Sequence, residues 1–421
     1  MRMHAVLSFL AGGLLFLAAS HPAAAEGRVT FNDMVVQKCP DGSCPWKLSC
    51  GVEGKPESEM FAGTKAKTKY TVNINRGLDI RTFPAEIRCT AWRDTGWIGT
   101  TWDKLNTTTI SVPAGGEYTL DINSRDNGSV TVRMSVDSLE IYMPSPAAPA
   151  AAPAKATGKA TAKKPAAAKS QPTPQYLGIF NPEPEGRAVV VGLEWGPFKK
   201  RVDELATRGL QLMDIETFEQ GGKVYWSGIF RSTQISTLLL ANQDWDTFLK
   251  NWKTVTGSRK RLINFTVYQN GGKTNFAGIF RDLSEKHSFW VGQSRKDFIA
   301  KTKELADLQG LRLLDMNAYR AGGPSLLYAG TFRYQDTPKE FWTALDQNAF
   351  NSKWQTARAK QMQLVDVETY KDGDKRYYDA IVHAGSPGEV ALNLDAAAFT
   401  ARWRDMVAKG LRPTNLSIYR D

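Results

Sequence analysis

Asp214, Asn264, Asp315, Asp366 and Asn415 stand at intervals of 50, 51, 51 and 49 residues, each at the same place in an alternating apolar–polar stretch. Two residues further on come Glu216, Thr266, Asn317, Glu368 and Ser417. Carboxylates and amides in such an array suit two chemistries: oxygen ligation of a hard cation, or hydrogen bonding to sugar hydroxyls. Glu216 and Glu368 would add charge. A structural reading competes, because identical placement in every repeat also fits side chains that bond hairpin main-chain groups or pair with arginines. The candidate ligand-binding set is therefore Asp214, Asn264, Asp315, Asp366, Asn415, Glu216 and Glu368. No catalytic residue is assigned. Beyond residue 25 the chain has two histidines, His287 and His383, and neither sits in a triad or zinc pattern. His383 aligns with Arg231, Arg281 and Arg333 and reads as a surface substitution. No phosphate-binding glycine loop is present, and no metal or cofactor is assigned.

A recurring unit of about 50 residues must position these side chains. A first strand precedes a diglycine, in the copies Leu210–Phe218, Arg261–Tyr268, Leu311–Tyr319, Met362–Tyr370 and Arg412–Tyr419. Alternation predicts one apolar, helix-facing side with Met213 and Ile215 or their equivalents, and a polar side with Asp214 and Glu216. Gly221-Gly222, Gly271-Gly272 and Gly322-Gly323, with Gly373-Asp374 in the fourth copy, supply tight hairpin turns. A short second strand reads aromatic-x-Gly-x-Phe, as in Trp226/Gly228/Phe230. Its glycine predicts close approach by a neighbour. Phe198, Phe248, Phe298, Phe350 and Phe399 then recur with apolar partners at helical spacing, which predicts a core stripe. Each unit thus reads strand–strand–helix. The region opens on a lone second strand, Tyr176–Phe180, and ends on a lone first strand, Arg412–Tyr419. Pairing the two would close a five-unit, propeller-like ring, and an open superhelix is the alternative.

The pattern Phe-x3-Trp, Tyr-x2-Gly-Gly and Tyr-x-Gly-x-Phe over residues 176–421 resembles the bacterial tandem repeat family. Similar units form the non-catalytic region of secreted polyglycine hydrolases. The resemblance implies architecture and no catalysis, since those enzymes owe their chemistry to a separate serine-peptidase domain. A kelch propeller shares the period but would need four strands per unit and no helical Phe spacing.

Ahead of the repeats, residues 1–25 read as a signal peptide: Arg2, an apolar stretch from Ala5 to Ala19, then Ala23-Ala24-Ala25. Residues 26–143 alternate in short runs and read as an antiparallel β-sandwich that loosely resembles C2 domains. Residues 144–175 are rich in Ala, Pro and Lys and read as a disordered, semi-extended linker tethering the sandwich to the repeats. Cys39, Cys44, Cys50 and Cys89 all precede the repeats; an even count in an exported chain predicts disulfides. Spacing leaves the connectivity open, with Cys39–Cys44 and Cys50–Cys89 preferred.

The formal charge of +11 at pH 7 suits an anionic envelope polymer, and a glycan or peptide is the other class of partner. No nucleic-acid module is seen, and no transmembrane span follows the signal. The oligomeric state is not legible. The sequence reads as an α+β, periplasmic or secreted, non-enzymatic binding or scaffold protein. The alternative is a hydrolase with an acidic site in the repeats.

Overall fold

The structure, a computed structural model, describes residues 24–39, 43–52, 54–67, 69–94, 102–124, 128–141, 173–337 and 339–420. The signal-peptide reading of residues 1–25 falls almost wholly outside them, as does most of the 144–175 linker.

Eight strands come first: β1 (Ala24–Lys38), β2 (Ser43–Val52), β3 (Ser58–Lys67), β4 (Tyr70–Ile80), β5 (Ala85–Asp94), β6 (Trp102–Val112), β7 (Gly116–Ser124) and β8 (Gly128–Ile141). One sheet runs β3-β2-β5-β6, and a second places β1 between β4 and β8, with β7 on β8. Alternating residues of both sheets, among them Val29, Phe31, Trp46, Ile87 and Val132, share one core. Cys50 and Cys89 lie directly opposite on β2 and β5 and form a disulfide. Cys39 is also disulfide-bonded; the side chain of Cys44 lies outside the described residues.

The repeats begin with β9 (Pro174–Pro182). Then come β10 (Arg187–Glu194), α1 (Trp195–Ala206), β11 (Leu210–Gln220) and β12 (Lys223–Ser232). The same order follows in β13 (Thr237–Gln243), α2 (Trp245–Gly257), β14 (Lys260–Asn270) and β15 (Lys273–Asp282). It recurs in β16 (His287–Gln293), α3 (Arg295–Gln309), β17 (Leu311–Tyr319) and β18 (Leu327–Tyr334). The fourth copy is β19 (Lys339–Leu345), α4 (Gln347–Ala359), β20 (Met362–Asp372) and β21 (Lys375–Ala384). The last is β22 (Glu389–Leu394), α5 (Ala396–Ala408) and β23 (Leu411–Arg420). The result is mixed α+β, mostly strand, with several sheets and five helices among the described residues.

The strand–strand–helix expectation is corrected. Each unit is strand–helix–hairpin, with the opening strand hydrogen-bonded to the second hairpin strand, as in the order β13-β15-β14. The opening strands hid because each is short and bulged at a left-handed residue, namely Gly192, Asn242, Gly292, Ala344 or Asn393, which breaks the period of two. The last unit borrows its second hairpin strand from the start of the region: β9 lies between β22 and β23, with Ile418 opposite Tyr176.

A second bulge corrects the facing of the first strands. The register slips between Leu212 and Asp214 and at every equivalent, leaving Met213, Ile263, Leu314, Val365 and Thr414 as the extra residues. Leu212 and Ile215 therefore fill the unit's core together, while Met213 is only half-buried.

The helix phenylalanines are buried as expected. Each stacks or tilts against the aromatic that opens the second hairpin strand. Ring separations are 6.0 Å for Phe198–Trp226, 5.7 Å for Phe248–Phe276, 5.4 Å for Phe298–Tyr328, 5.5 Å for Phe350–Tyr378 and 5.4 Å for Phe399–Tyr176. The strand glycine makes room for this contact. A Cβ on Gly278 would lie 2.6 Å from Leu262 and 3.0 Å from Phe248.

Sandwich and repeats are joined by more than their linker. The end of β8 pairs in parallel with β10, Ser138 opposite Ala188 and Ile141 opposite Val191. Asp137, fully buried on β8, makes an ion pair at 2.8 Å with the buried Arg412 of β23 and accepts the Arg187 N–H. Glu140 pairs with Arg201 of α1 nearby. The sandwich is thus docked on the repeats as well as connected to them through residues 144–175.

Candidate functional site

The structure brings the polar positions of the first strands together, and all but Glu216, which is half-buried, are buried. The Asn264 amide donates to Asp214 at 2.9 Å. The Asn415 amide donates to Asp366 at 2.9 Å and to Asp214 at 3.4 Å.

Four of the set each direct an oxygen at main chain, while the Asn415 side-chain oxygen is buried without a hydrogen-bond partner. Asn264 accepts the Ile215 N–H at 2.8 Å, Asp315 the Phe265 N–H at 2.8 Å, and Asp366 the Met316 N–H at 3.0 Å. Asp214 accepts the Leu416 N–H at 3.0 Å. In each case the donor lies one residue past the equivalent position of the preceding unit, and the last strand hands on to the first unit. These N–H groups face away from their own hairpins, so without the side chains they would be buried and unpaired. Two residues on, the pattern repeats in part. Asn317 accepts the Val267 N–H at 3.1 Å and donates to Glu368, while Thr217 and Thr266 share a hydrogen bond. Further along, Gln269 donates to the Arg320 carbonyl, Arg320 to that of Lys371, and Arg420 to that of Glu219. Correspondingly β11 touches β14, β14 touches β17, β17 touches β20, β20 touches β23, and β23 touches β11.

Burial controls the charge of the set. It pushes the Asp214 carboxyl up to about 8, helped by the nearby Asp366 and opposed by the bonds from Leu416, Asn415 and Asn264. Burial likewise takes Asp366 up to about 7. Burial first, and neighbouring carboxylates second, hold Glu216, Asp315 and Glu368 well above the ordinary carboxylate range. Taking these carboxyls out of water thus favours their neutral form. Among the described residues no group of three or more acids, histidines or cysteines is placed to hold a metal ion.

Two clusters escaped the sequence reading. Asp379, fully buried, accepts the Ala344 N–H at 2.6 Å and the Tyr370 hydroxyl at 3.1 Å, while Arg295 donates to Tyr328 and Tyr370 at 3.0 and 2.8 Å. Asp379 stands where the siblings carry Ser227, Ala277 and Ala329, a departure visible in the aligned repeats. The second cluster lies at the far end of the hairpin strands from the diglycine turns. There Arg231, Arg333, Lys339 and His383 line a concavity of 690 Å³ with Leu314, Val365 and Thr414. His383 is half-buried at the wall of this concavity. The repeated basic register was its signal.

The model of a polyglycine hydrolase-like structural repeat matches residues 187–233, 340–384 and 385–421. In these three segments the C-terminal region is similar to that repeat, and each segment opens near the first strand of a strand–helix–hairpin unit. No curated protein matches the sequence. Similar solved structures include a C2 domain of a plant extended synaptotagmin 1, with 11% identity, 28% of this chain, 95% of that one and a TM-score of 0.21. A Drosophila C2-DSL-EGF1 structure shows 8% identity over 27% of this chain and 67% of that one, at a TM-score of 0.20. Human GIVD cytosolic phospholipase A2 shows 6% identity over 81% of this chain and 36% of that one, at 0.22.

Proposed function

We propose that the chain is an exported, non-enzymatic binding or scaffold protein. Its five units close into a ring that carries the docked sandwich, and its target is a cell-envelope glycan or peptide. The observation that carries this reading is the use of the candidate acids: Asp214, Asp315 and Asp366 each spend an oxygen on a neighbouring unit's main chain. A catalytic carboxylate must instead reach a substrate atom. Closure is supported by β9 pairing with β23 and by side-chain locks that pass from every unit to the next and from the last to the first. Export is supported by the Arg2-to-Ala25 pattern and by the Cys50–Cys89 disulfide. Among the described residues no helix is long and apolar enough to cross a membrane.

The test is fractionation of the expressed chain, followed by pull-down on purified envelope polymer and by hydrolysis assays on glycans and Gly-rich peptides. Retention on polymer without turnover is expected. Turnover abolished by Asp366→Asn in a protein that still melts cooperatively would establish the hydrolase reading instead.

A further inference from the structure

The 690 Å³ concavity is walled by Arg231, Arg333, Lys339 and His383, and Leu314, Val365 and Thr414 from three first-strand bulges also line it. Two acids line it as well. Glu183 already pairs with Arg187 at 3.2 Å and stands 3.9 Å from Arg231; Asp336 lies against Tyr334. Arg231 is taken at 2.6 Å by Glu185, and His383 shares a hydrogen bond with Gln363 at 3.0 Å.

Arg333 and Lys339 are different. Neither side chain makes a hydrogen bond or ion pair with any described residue, and Arg333 Nε is a buried donor with no partner. Glu285 acts on Arg333 only from beyond ion-pair distance, while Arg281, whose Nε is also buried and unpartnered, repels it. Burial first, then Arg333, brings the Lys339 ammonium down to about 7, against the pull of the Asp366 carboxylate from beyond ion-pair distance. Two neighbouring cations that lack an ion-pair partner cost the fold electrostatic energy, and a bound anion offsets that cost. Guanidinium and ammonium together recognise phosphate or carboxylate oxygens, the first as a planar fork, the second as a point charge.

We propose that this concavity is a binding site for an oligomer bearing phosphate or carboxylate groups, with Arg333 and Lys339 as its principal ligands and Arg231 and His383 at its wall. The proposal rests on the binding reading above and gives it a ligand chemistry. It also separates specific anion recognition from the linker lysines Lys155, Lys159, Lys163, Lys164 and Lys169, which would attract any polyanion.

The test is isothermal titration of the full exported chain with tripolyphosphate and, separately, with a galacturonate oligomer. The wild type, an R333Q/K339Q variant and a variant with the five linker lysines changed to Gln are compared. Saturable binding of at least one anion is expected, weakened about tenfold or more in R333Q/K339Q and retained in the linker variant. The preferred anion then tells phosphate from carboxylate. Equal binding by R333Q/K339Q, or loss confined to the linker variant, overturns the site. A measurement needing no variant guards against misfolding: acetylation of Lys339, followed by mass spectrometry, should slow when the better anion is present. Unchanged Lys339 labelling at saturating tripolyphosphate and galacturonate overturns the site equally. Retention of a neutral glycan or Gly-rich peptide with no response to either anion would remove this site and leave the binding function standing.

Discussion

Asp214 accepts the main-chain N–H of Leu416 at 3.0 Å, joining the first unit to the last strand across 202 residues. The other carboxylate oxygen accepts the amides of Asn264 and Asn415, so one side chain serves three donors from two neighbouring units. Asp214→Ala should therefore destabilise the repeats by about 1–3 kcal/mol, the cost of leaving buried donors unmet. Asp246→Ala, on the exposed face of α2, should stay within about 0.5 kcal/mol. Urea denaturation of both variants checks the contrast; equal midpoints would remove the structural role assigned to Asp214.

The buried acids set a pH dependence. Unfolded Asp titrates near ~3.9, whereas burial takes Asp214 up to about 8 and Asp366 up to about 7 in the folded chain. The folded state therefore holds protons that the unfolded state gives up. Their stabilisation is complete below about pH 4 and is lost progressively as pH rises through 7 and 8. Asp137, raised to about 6 by burial, contributes with the same sign. Lys339, brought down to about 7, acts in the opposite sense from there up to about pH 10, but the raised acids outnumber it, so the repeats should melt at lower temperature at pH 9 than at pH 6. A melting temperature that rises between those values would contradict the charge state assigned to the set.

Gly278 faces Leu262 and Phe248 with no room for a Cβ, at 2.6 and 3.0 Å. Gly278→Val should cost about 1–3 kcal/mol through overpacking. Ala380 occupies the same place in the fourth unit, buried, with Val382 where the siblings have Phe. Ala380→Gly should thus be the milder change, about 1 kcal/mol at most within a strand. Thermal melts of the pair test whether helix approach, and not turn geometry, selects this glycine.

The Asp137–Arg412 pair is buried on both sides at the junction of sandwich and repeats. Asp137→Ala leaves Arg412 buried without its counter-charge and should cost about 3–5 kcal/mol. The loss should appear in the melting of both parts, since Asp137 sits on β8 and Arg412 on β23. Limited proteolysis that releases an intact repeat fragment from the variant but not from the wild type would locate the damage at the junction. Identical digests would show that the pair does not hold the two together.

The legible part of this fold was what repeats. Diglycines fixed the hairpins, the spaced phenylalanines fixed the helices, and the half-units Tyr176–Phe180 and Arg412–Tyr419 identified each other as partners. The opening strands were not legible, because a left-handed residue such as Asn242 or Ala344 interrupts their alternation within seven residues. The bulges at Met213 and its equivalents hid in the same way, since alternation counts residues and cannot see an unpaired one. The candidate acids were found by register, but their partners are main-chain N–H groups, which carry no sequence signal. Arg333 and Lys339 come from different strands, and only the fold sets them around one concavity.

Closure of the five units is the central claim, and removal of residues 411–421 tests it most directly. In a closed arrangement the truncation takes away the partner of β9 and the donor to Asp214. Instability should then spread through every unit. Hydrogen exchange should accelerate around Trp226 and Phe276, which lie far along the chain from the cut. Protection there that stays at the wild-type level, with faster exchange confined to β22, α5 and β9, would mean that the repeats form an open array.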